Sequence, residues 1–124
     1  MPVTRTLTAE DWERLDAQLA RFRTEFECWT DVFPNNWELL DFVRYEGIER
    51  PITEEVGPLI LGQECVALHG AQWCMVRSGD EERFAIVHDD LKGPVDLSSF
   101  KPKYIKRNLS QKWQRILDTR KPAR

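Results

Sequence analysis

Apolar residues near the start of the chain recur at spacings of 3, 4, 3 and 4, the pattern of one helical face. The residues are Trp12, Leu15, Leu19, Phe22 and Phe26. Thr8 is a suitable N-cap because Asp11, an acid of the first turn, follows three residues later. We therefore expect a first helix of about five turns, with its apolar stripe packed on the domain core.

Two further helices are predicted before residue 70. Asn36 can cap a second helix over residues 37–46, which Gly47 would stop. Its inward-facing residues would be Trp37, Leu40, Phe42 and Val43. Thr53 can cap a third helix that continues to His69. The apolar side chains of this third helix fall nearly all round its axis, which is typical of a buried helix.

Two short and largely apolar runs, residues 72–77 and 83–88, flank a turn at Gly79 and Asp80. This arrangement predicts a β-hairpin with a two-residue type II′ turn. That turn sets a register in which Trp73 faces Ile86, Met75 faces Phe84 and Cys74 faces Ala85. Since both faces of the hairpin are largely apolar, both are expected to be covered. A short third strand is predicted over residues 95–97.

The last quarter of the chain predicts a final helix that begins near Pro102. Its apolar residues lie within about 120° of one another around a helix axis. They are Ile105, Leu109, Trp113, Ile116 and Leu117. The predicted fold class is α+β, with three N-terminal helices, an antiparallel β-hairpin with a short third strand, and this C-terminal helix packed on the same core. We expect a single domain over residues 1–124, with frayed ends at about residues 1–6 and 120–124.

Composition favours an ordinary globular protein, because 41% of the 124 residues are hydrophobic and 31% are charged. No apolar run approaches the about 20 residues that a membrane span needs, and the start lacks the apolar core of a signal peptide. Three cysteines are an odd number, which favours reduced thiols. We expect a cytoplasmic protein that forms no membrane contact, and its brevity suggests a bacterial one.

Charge is divided unevenly along the chain. Residues 101–124 carry nine Lys and Arg side chains against one acid, a net charge of +8, and residues 1–100 carry nine bases against twenty acids, a net charge of −11. A basic segment is a candidate for nucleic-acid binding. However, the basic residues spread over the whole non-core side of the predicted helix, and no recognised nucleic-acid motif accompanies them. Docking of the basic helix on the acidic body is the preferred interpretation.

Cysteine and histidine residues supply the strongest metal candidate: Cys65, His69, Cys74 and His88. Cys65 and His69 share a helix face and are legitimate zinc ligands. Their spacing matches no common zinc pattern, and the hairpin register points Cys74 and His88 to opposite sides. Cys65 and His69 could also form a nucleophile pair, although a thiol on an apolar helix is expected to be buried. We therefore predict no metal site, no cofactor and no catalytic residue.

Acidic residues at the hairpin provide the predicted partner-binding site: Asp80, Glu81, Glu82, Asp89 and Asp90. An acidic surface suits the capture of a basic protein partner by electrostatic steering. We expect a non-enzymatic protein-binding domain, an inhibitor or immunity-type protein, that is a monomer or a homodimer joined through a hairpin edge. The alternatives are a nucleic-acid-associated protein that uses the basic helix and, ranked last, a Cys/His metal or thiol enzyme.

One stretch of the chain resembles small uncharacterised bacterial domains. Over residues 62–96, an apolar helix ends in Gly70 and is followed by a strand that carries Trp73 and by the hairpin. This pattern is similar to that of some immunity proteins of toxin systems. The resemblance implies an α+β fold and a protein partner, and it assigns no individual residue a role.

Overall fold

Three helices and a four-stranded antiparallel sheet form the α+β fold of the computed structural model, which describes residues 3–48, 50–89 and 93–97. In chain order, the elements are β1 (Val3–Arg5), α1 (Ala9–Glu25), a short 3-10 helix (Glu27–Trp29), α2 (Asn36–Tyr45), α3 (Pro51–His69), β2 (Gln72–Ser78), β3 (Glu81–Val87) and β4 (Val95–Asp96). The predicted C-terminal helix and the frayed end at residues 120–124 lie outside the described residues.

The sheet has the strand order β1-β2-β3-β4. The predicted hairpin register is confirmed, because Trp73 pairs with Ile86, Cys74 with Ala85 and Met75 with Phe84. A type II′ turn requires a positive φ at its first central residue and a negative φ at its second. Gly79 has a φ of +65°, and Asp80 does not have a positive φ. The predicted third strand is also present as β4, which pairs with β3 through Asp96 opposite Ala85.

Strand β1 corrects the expectation that residues 1–6 form a frayed end. Val3–Arg5 pairs with β2, with Thr4 opposite Val76, and so extends the sheet by one edge strand. Three residues are too few to show the alternation that predicts a strand. Arg5 also forms ion pairs with Asp11 and Glu82, and these side-chain contacts hold the chain start in place.

Helix α1 begins at the predicted N-cap. The Thr8 hydroxyl accepts a hydrogen bond from the Asp11 backbone N–H, and the Asp11 carboxylate accepts one from the Thr8 backbone N–H, which together form a capping box. Leu15, Leu19 and Phe22 of the predicted stripe are buried, but Trp12 is 45% exposed. The buried position of the first turn is taken instead by Asp11, which is engaged in ion pairs.

The starts of the other two helices differ slightly from the prediction. Asn35 rather than Asn36 caps α2, since its side chain accepts hydrogen bonds from the backbone N–H groups of Trp37 and Glu38. Because the two asparagines are adjacent, the sequence does not show which of them is the N-cap. Helix α3 begins at Pro51, two residues before Thr53, because proline is well suited to the first helical position. Gly70 closes it in the left-handed conformation, as predicted.

The core has two parts that meet at α3. Residues of all three helices form the larger part, which includes Phe22, Phe26 and Leu40. The smaller part joins the second half of α3 to the sheet through Leu61, Ile86 and other residues. None of the helices in the described ranges is both long and apolar enough to cross a bilayer.

Candidate functional site

The acidic residues that the sequence analysis selected are divided between the two ends of the hairpin. Asp80 lies in the turn, and Glu81 and Glu82 begin β3, whereas Asp89 follows the far end of that seven-residue strand. At about 3.4 Å per residue, the two groups are roughly 20 Å apart. Asp90 lies outside the described residues. The four acids of this set that the structure describes are therefore not brought together as one surface.

Glu82 is held by an arginine from the other end of the chain. Its two carboxylate oxygens accept hydrogen bonds from Nε and Nη2 of Arg5 at 2.7 and 2.9 Å, which is a bidentate pair. The pKa of Glu82 is lowered, first by the hydrogen bond from Arg5. This acid is already neutralised within the molecule.

Glu81 is also paired. Its carboxylate accepts a hydrogen bond from Arg83 at 2.7 Å, and Arg83 donates a second one to Asp96 of β4 at 3.1 Å. Arg77 lies at the same turn, where its Nε donates to the Gly79 carbonyl. Asp80 is exposed and forms no ion pair with the residues that the structure describes. The hairpin tip is thus a balanced set of charges rather than an open acidic patch.

Asp11 links this set to the start of α1. Its carboxylate accepts hydrogen bonds from Arg5 at 2.5 Å, from Arg14 at 2.6 Å and from the Thr8 backbone N–H at 2.8 Å. These bonds, above all the one from Arg5, hold the pKa of Asp11 well below its usual range. Arg5 bridges Asp11 and Glu82, so one network connects β1, α1 and β3.

Replacing Asp11 with Asn is expected to weaken the dependence of stability on acid pH. Because the folded-state pKa is lowered, the carboxylate stabilises the fold above its unfolded pKa, and this contribution is lost as the pH falls below about 4 toward the folded-state pKa. Urea unfolding at pH 7 and at pH 3 measures the difference. Asp11→Asn should lower the free energy of unfolding at pH 7. It should also reduce the difference between the free energies of unfolding at pH 7 and pH 3. Asp16→Asn, an exposed position on the same helix, is the matched control, and an equal narrowing there would contradict the assignment.

A different acidic surface lies on α2. Glu38, Asp41 and Tyr45 fall within about 60° of one another around the helix axis, and all three are exposed. Tyr45 is 83% exposed, the largest value among the exposed large hydrophobic side chains of the described chain. Neither acid forms an ion pair with any described residue. We call these three residues the α2 surface.

An aromatic cluster continues the α2 surface on one side. Phe42, one helical turn from both Glu38 and Tyr45, stacks on Phe33 with ring centroids 4.7 Å apart and lies 5.9 Å from the Trp29 ring. The three rings are half-buried rather than enclosed. Aromatic side chains of this kind are common at the centres of protein interfaces.

The loop between the short 3-10 helix and α2 is held by Arg23. This side chain donates hydrogen bonds to Asn36 Oδ1 at 2.8 Å and to the carbonyls of Thr30 and Phe33 at 3.4 Å each. The loop therefore presents its exposed side chains at fixed positions beside α2. They include Asp31 and Val32.

Residues 27–47 contain five acids and one base, Arg44, which is buried. This region contains no pair of adjacent acids, and Glu38 and Asp41 converge only through helical periodicity. A signal present in the sequence is that residues 27–47 contain no Lys or Arg other than Arg44.

The cysteine and histidine candidates do not come together as one four-residue site. Cys65 is buried in the core between α3 and the sheet, whereas Cys74 belongs to a separate apolar cluster on the other side of the sheet. Burial, with a contribution from Glu64, raises the pKa of the Cys65 thiol to about 12, which is unsuitable for a nucleophile. His69 and His88 are close enough to interact, and burial followed by His88 lowers the pKa of His69.

The described residues contain no group of three or more His, Cys, Asp or Glu side chains that could hold a metal ion. No protein-family model matches the chain. Comparison with curated proteins and with solved structures returns no match either.

Proposed function

We propose that the chain is a non-enzymatic protein-binding domain, of inhibitor or immunity type, that captures a basic protein partner in the cytoplasm. The single observation that carries the proposal is the α2 surface, where an 83% exposed Tyr45 shares one side of the helix with two acids that have no ion pair with described residues. The hairpin acids remain a predicted second contact, although Glu81 and Glu82 would have to exchange their present arginine partners.

Physical chemistry gives the two parts of this surface different roles. Acids without a nearby cation attract a basic partner and speed its association, an effect that salt screens. A tyrosine beside half-buried aromatic rings offers a large contact area with little loss of side-chain entropy, which is how interface anchors act. The acids would therefore set the association rate, and Tyr45 would set the lifetime of the complex.

Charge reversal on α2 is expected to reduce partner binding. Products of neighbouring genes would be tested first as partners, and the purified pair would be measured by surface plasmon resonance at 50 and 200 mM salt. Glu38→Lys with Asp41→Lys should lower the association rate about tenfold or more at low salt. Tyr45→Ala should raise the dissociation rate about thirtyfold, the effect of an anchor residue of about 2 kcal/mol.

The control and the competing surfaces belong to the same experiment. Glu54→Lys, which reverses an exposed acid on α3, should leave both rates nearly unchanged. Loss of binding only after charge reversal of Glu81 and Glu82 would move the site to the hairpin. Tight and salt-sensitive binding of DNA or RNA in a filter assay, abolished by neutralising the basic residues of 101–124, would instead support the nucleic-acid alternative and contradict the proposal.

A further inference from the structure

The sheet has a second apolar face that is buried. Cys74 and Val76 of β2 and Ala85 of β3 are 5%, 7% and 0% exposed, and they form one cluster with the half-buried Val87. We call these four residues the outer sheet face. Side chains alternate along a strand, so these four residues lie on the face of the sheet opposite to Trp73 and Ile86. Trp73 and Ile86 pack toward α3. The cluster contains no helix residue from the described part of the chain.

Burial of this degree requires a cover. A valine on an open sheet face would keep much of its surface in water, and Val76 does not. Strands β1 and β4 lie beside the face within the same sheet, so they flank it without covering it. The three described helices pack on the opposite side. Because these exposures are those of a single chain, the cover must come from another part of the same chain.

Length and position favour the end of the chain. Outside the described ranges, residues 1–2, 49 and 90–92 are too few to cover a sheet, whereas residues 98–124 form one long segment. That segment starts directly after Leu97, next to β4, whose Asp96 pairs with Ala85 of the outer sheet face. A helical stripe from residue 105 to residue 117 would be about 18 Å long, close to the width of four strands spaced about 4.8 Å apart.

We propose that residues 101–119 dock as an amphipathic helix on the outer sheet face, with Ile105, Leu109 and Trp113 among the contacting residues. The helix would then lie on the side of the sheet opposite to α1, α2 and α3, rather than on their core. Such docking would place the +8 segment away from α2 and leave the α2 surface uncovered. The molecule would have one basic side and one acidic side, and this inference does not depend on the proposed function.

The three free cysteines supply an internal test in the full-length protein. Cys28 is exposed, Cys65 is a residue of α3 that is buried where this helix meets the sheet, and Cys74 lies on the outer sheet face. Labelling by a thiol reagent, resolved by mass spectrometry, reports the opening of each region separately. Leu109→Gln with Trp113→Gln should raise the labelling rate of Cys74 about tenfold or more, while Cys65 stays protected and Cys28 reacts as before.

The matched control replaces two residues on the opposite side of the same predicted helix. Arg107→Gln with Arg115→Gln should leave all three labelling rates unchanged. If Cys74 stays protected in the stripe variant, the segment does not cover the outer sheet face. If Cys65 and Cys74 accelerate by the same factor, the stripe belongs to the common core, and the proposal is equally wrong.

A photo-crosslinker at position 113 gives a measurement that does not depend on stability. Benzoylphenylalanine at this position should cross-link to peptides that contain residues 72–78 or 83–87 of the same chain. Cross-links only to α1, α2 or α3, or no cross-link, would overturn the proposal. In a mixture of isotopically heavy and light chains, cross-links between heavy and light peptides would show that a second copy supplies the cover instead.

Discussion

Replacing Phe26 with Ala is expected to lower the free energy of unfolding by about 3–5 kcal/mol, the usual cost of emptying an aromatic site in a core. The Phe26 side chain is fully buried and lies at the end of α1. Its ring is 5.2 Å from the Phe22 ring and 6.2 Å from the Trp29 ring, and the Arg50 guanidinium lies 4.9 Å above it. One side chain thus joins α1, the following loop and the start of α3.

Urea unfolding with an unchanged m-value would measure this loss. A domain of this size has a stability of about 5–15 kcal/mol, so at the lower end of that range most of it would be lost. Val32→Ala is the matched control, because Val32 is exposed on the loop that Phe26 supports, and it should change stability by less than about 0.5 kcal/mol. A loss below about 1 kcal/mol for Phe26→Ala would show that the aromatic cluster is not part of the cooperative core.

The sequence predicted the elements whose patterns are long and locally determined. Helices α1 and α2 follow from apolar periodicity, α3 follows from a long apolar segment closed by Gly70, and the hairpin register follows from the two-residue turn at Gly79 and Asp80. Strand β1 could not be predicted, since its backbone partner β2 and its ion-pair partner Glu82 both lie far along the chain. Trp12 illustrates a similar limit, because periodicity identifies a face but does not show how far the neighbouring element extends over it.

Candidate site residues were harder to predict for a related reason. Glu82 is separated from Arg5 by 77 positions, and nothing in the local sequence indicates that the two would form a bidentate pair. A run of acids in the sequence is therefore a poor guide to an acidic surface. Glu38, Asp41 and Tyr45 form the opposite case, in which separated residues converge because a helix repeats every 3.6 positions.

Gly62→Ala is expected to destabilise the protein by about 1–3 kcal/mol, although Ala is favoured over Gly in a helix by up to about 1 kcal/mol. Gly62 is buried in the middle of α3 where the helix meets the sheet. A Cβ atom there would lie 2.6 Å from Leu97 Cδ1 and 2.7 Å from Trp73 Cη2, much closer than van der Waals contact. Trp73 cannot yield freely, because its ring packs on both parts of the core and against Phe84.

A double-mutant cycle with Leu97→Ala separates this clash from other causes. Shortening Leu97 removes the closest atom, so Gly62→Ala should cost less in the Leu97→Ala background than in the wild type, and the two free-energy changes should not add. Glu54→Ala, at an exposed position of the same helix, should be nearly neutral and controls for helix propensity. Simple additivity, or a stabilising effect of Gly62→Ala alone, would mean that α3 can move away from the sheet. Close packing would then not require a glycine at position 62, and the positions of Trp73 and Leu97 against α3 would not depend on it.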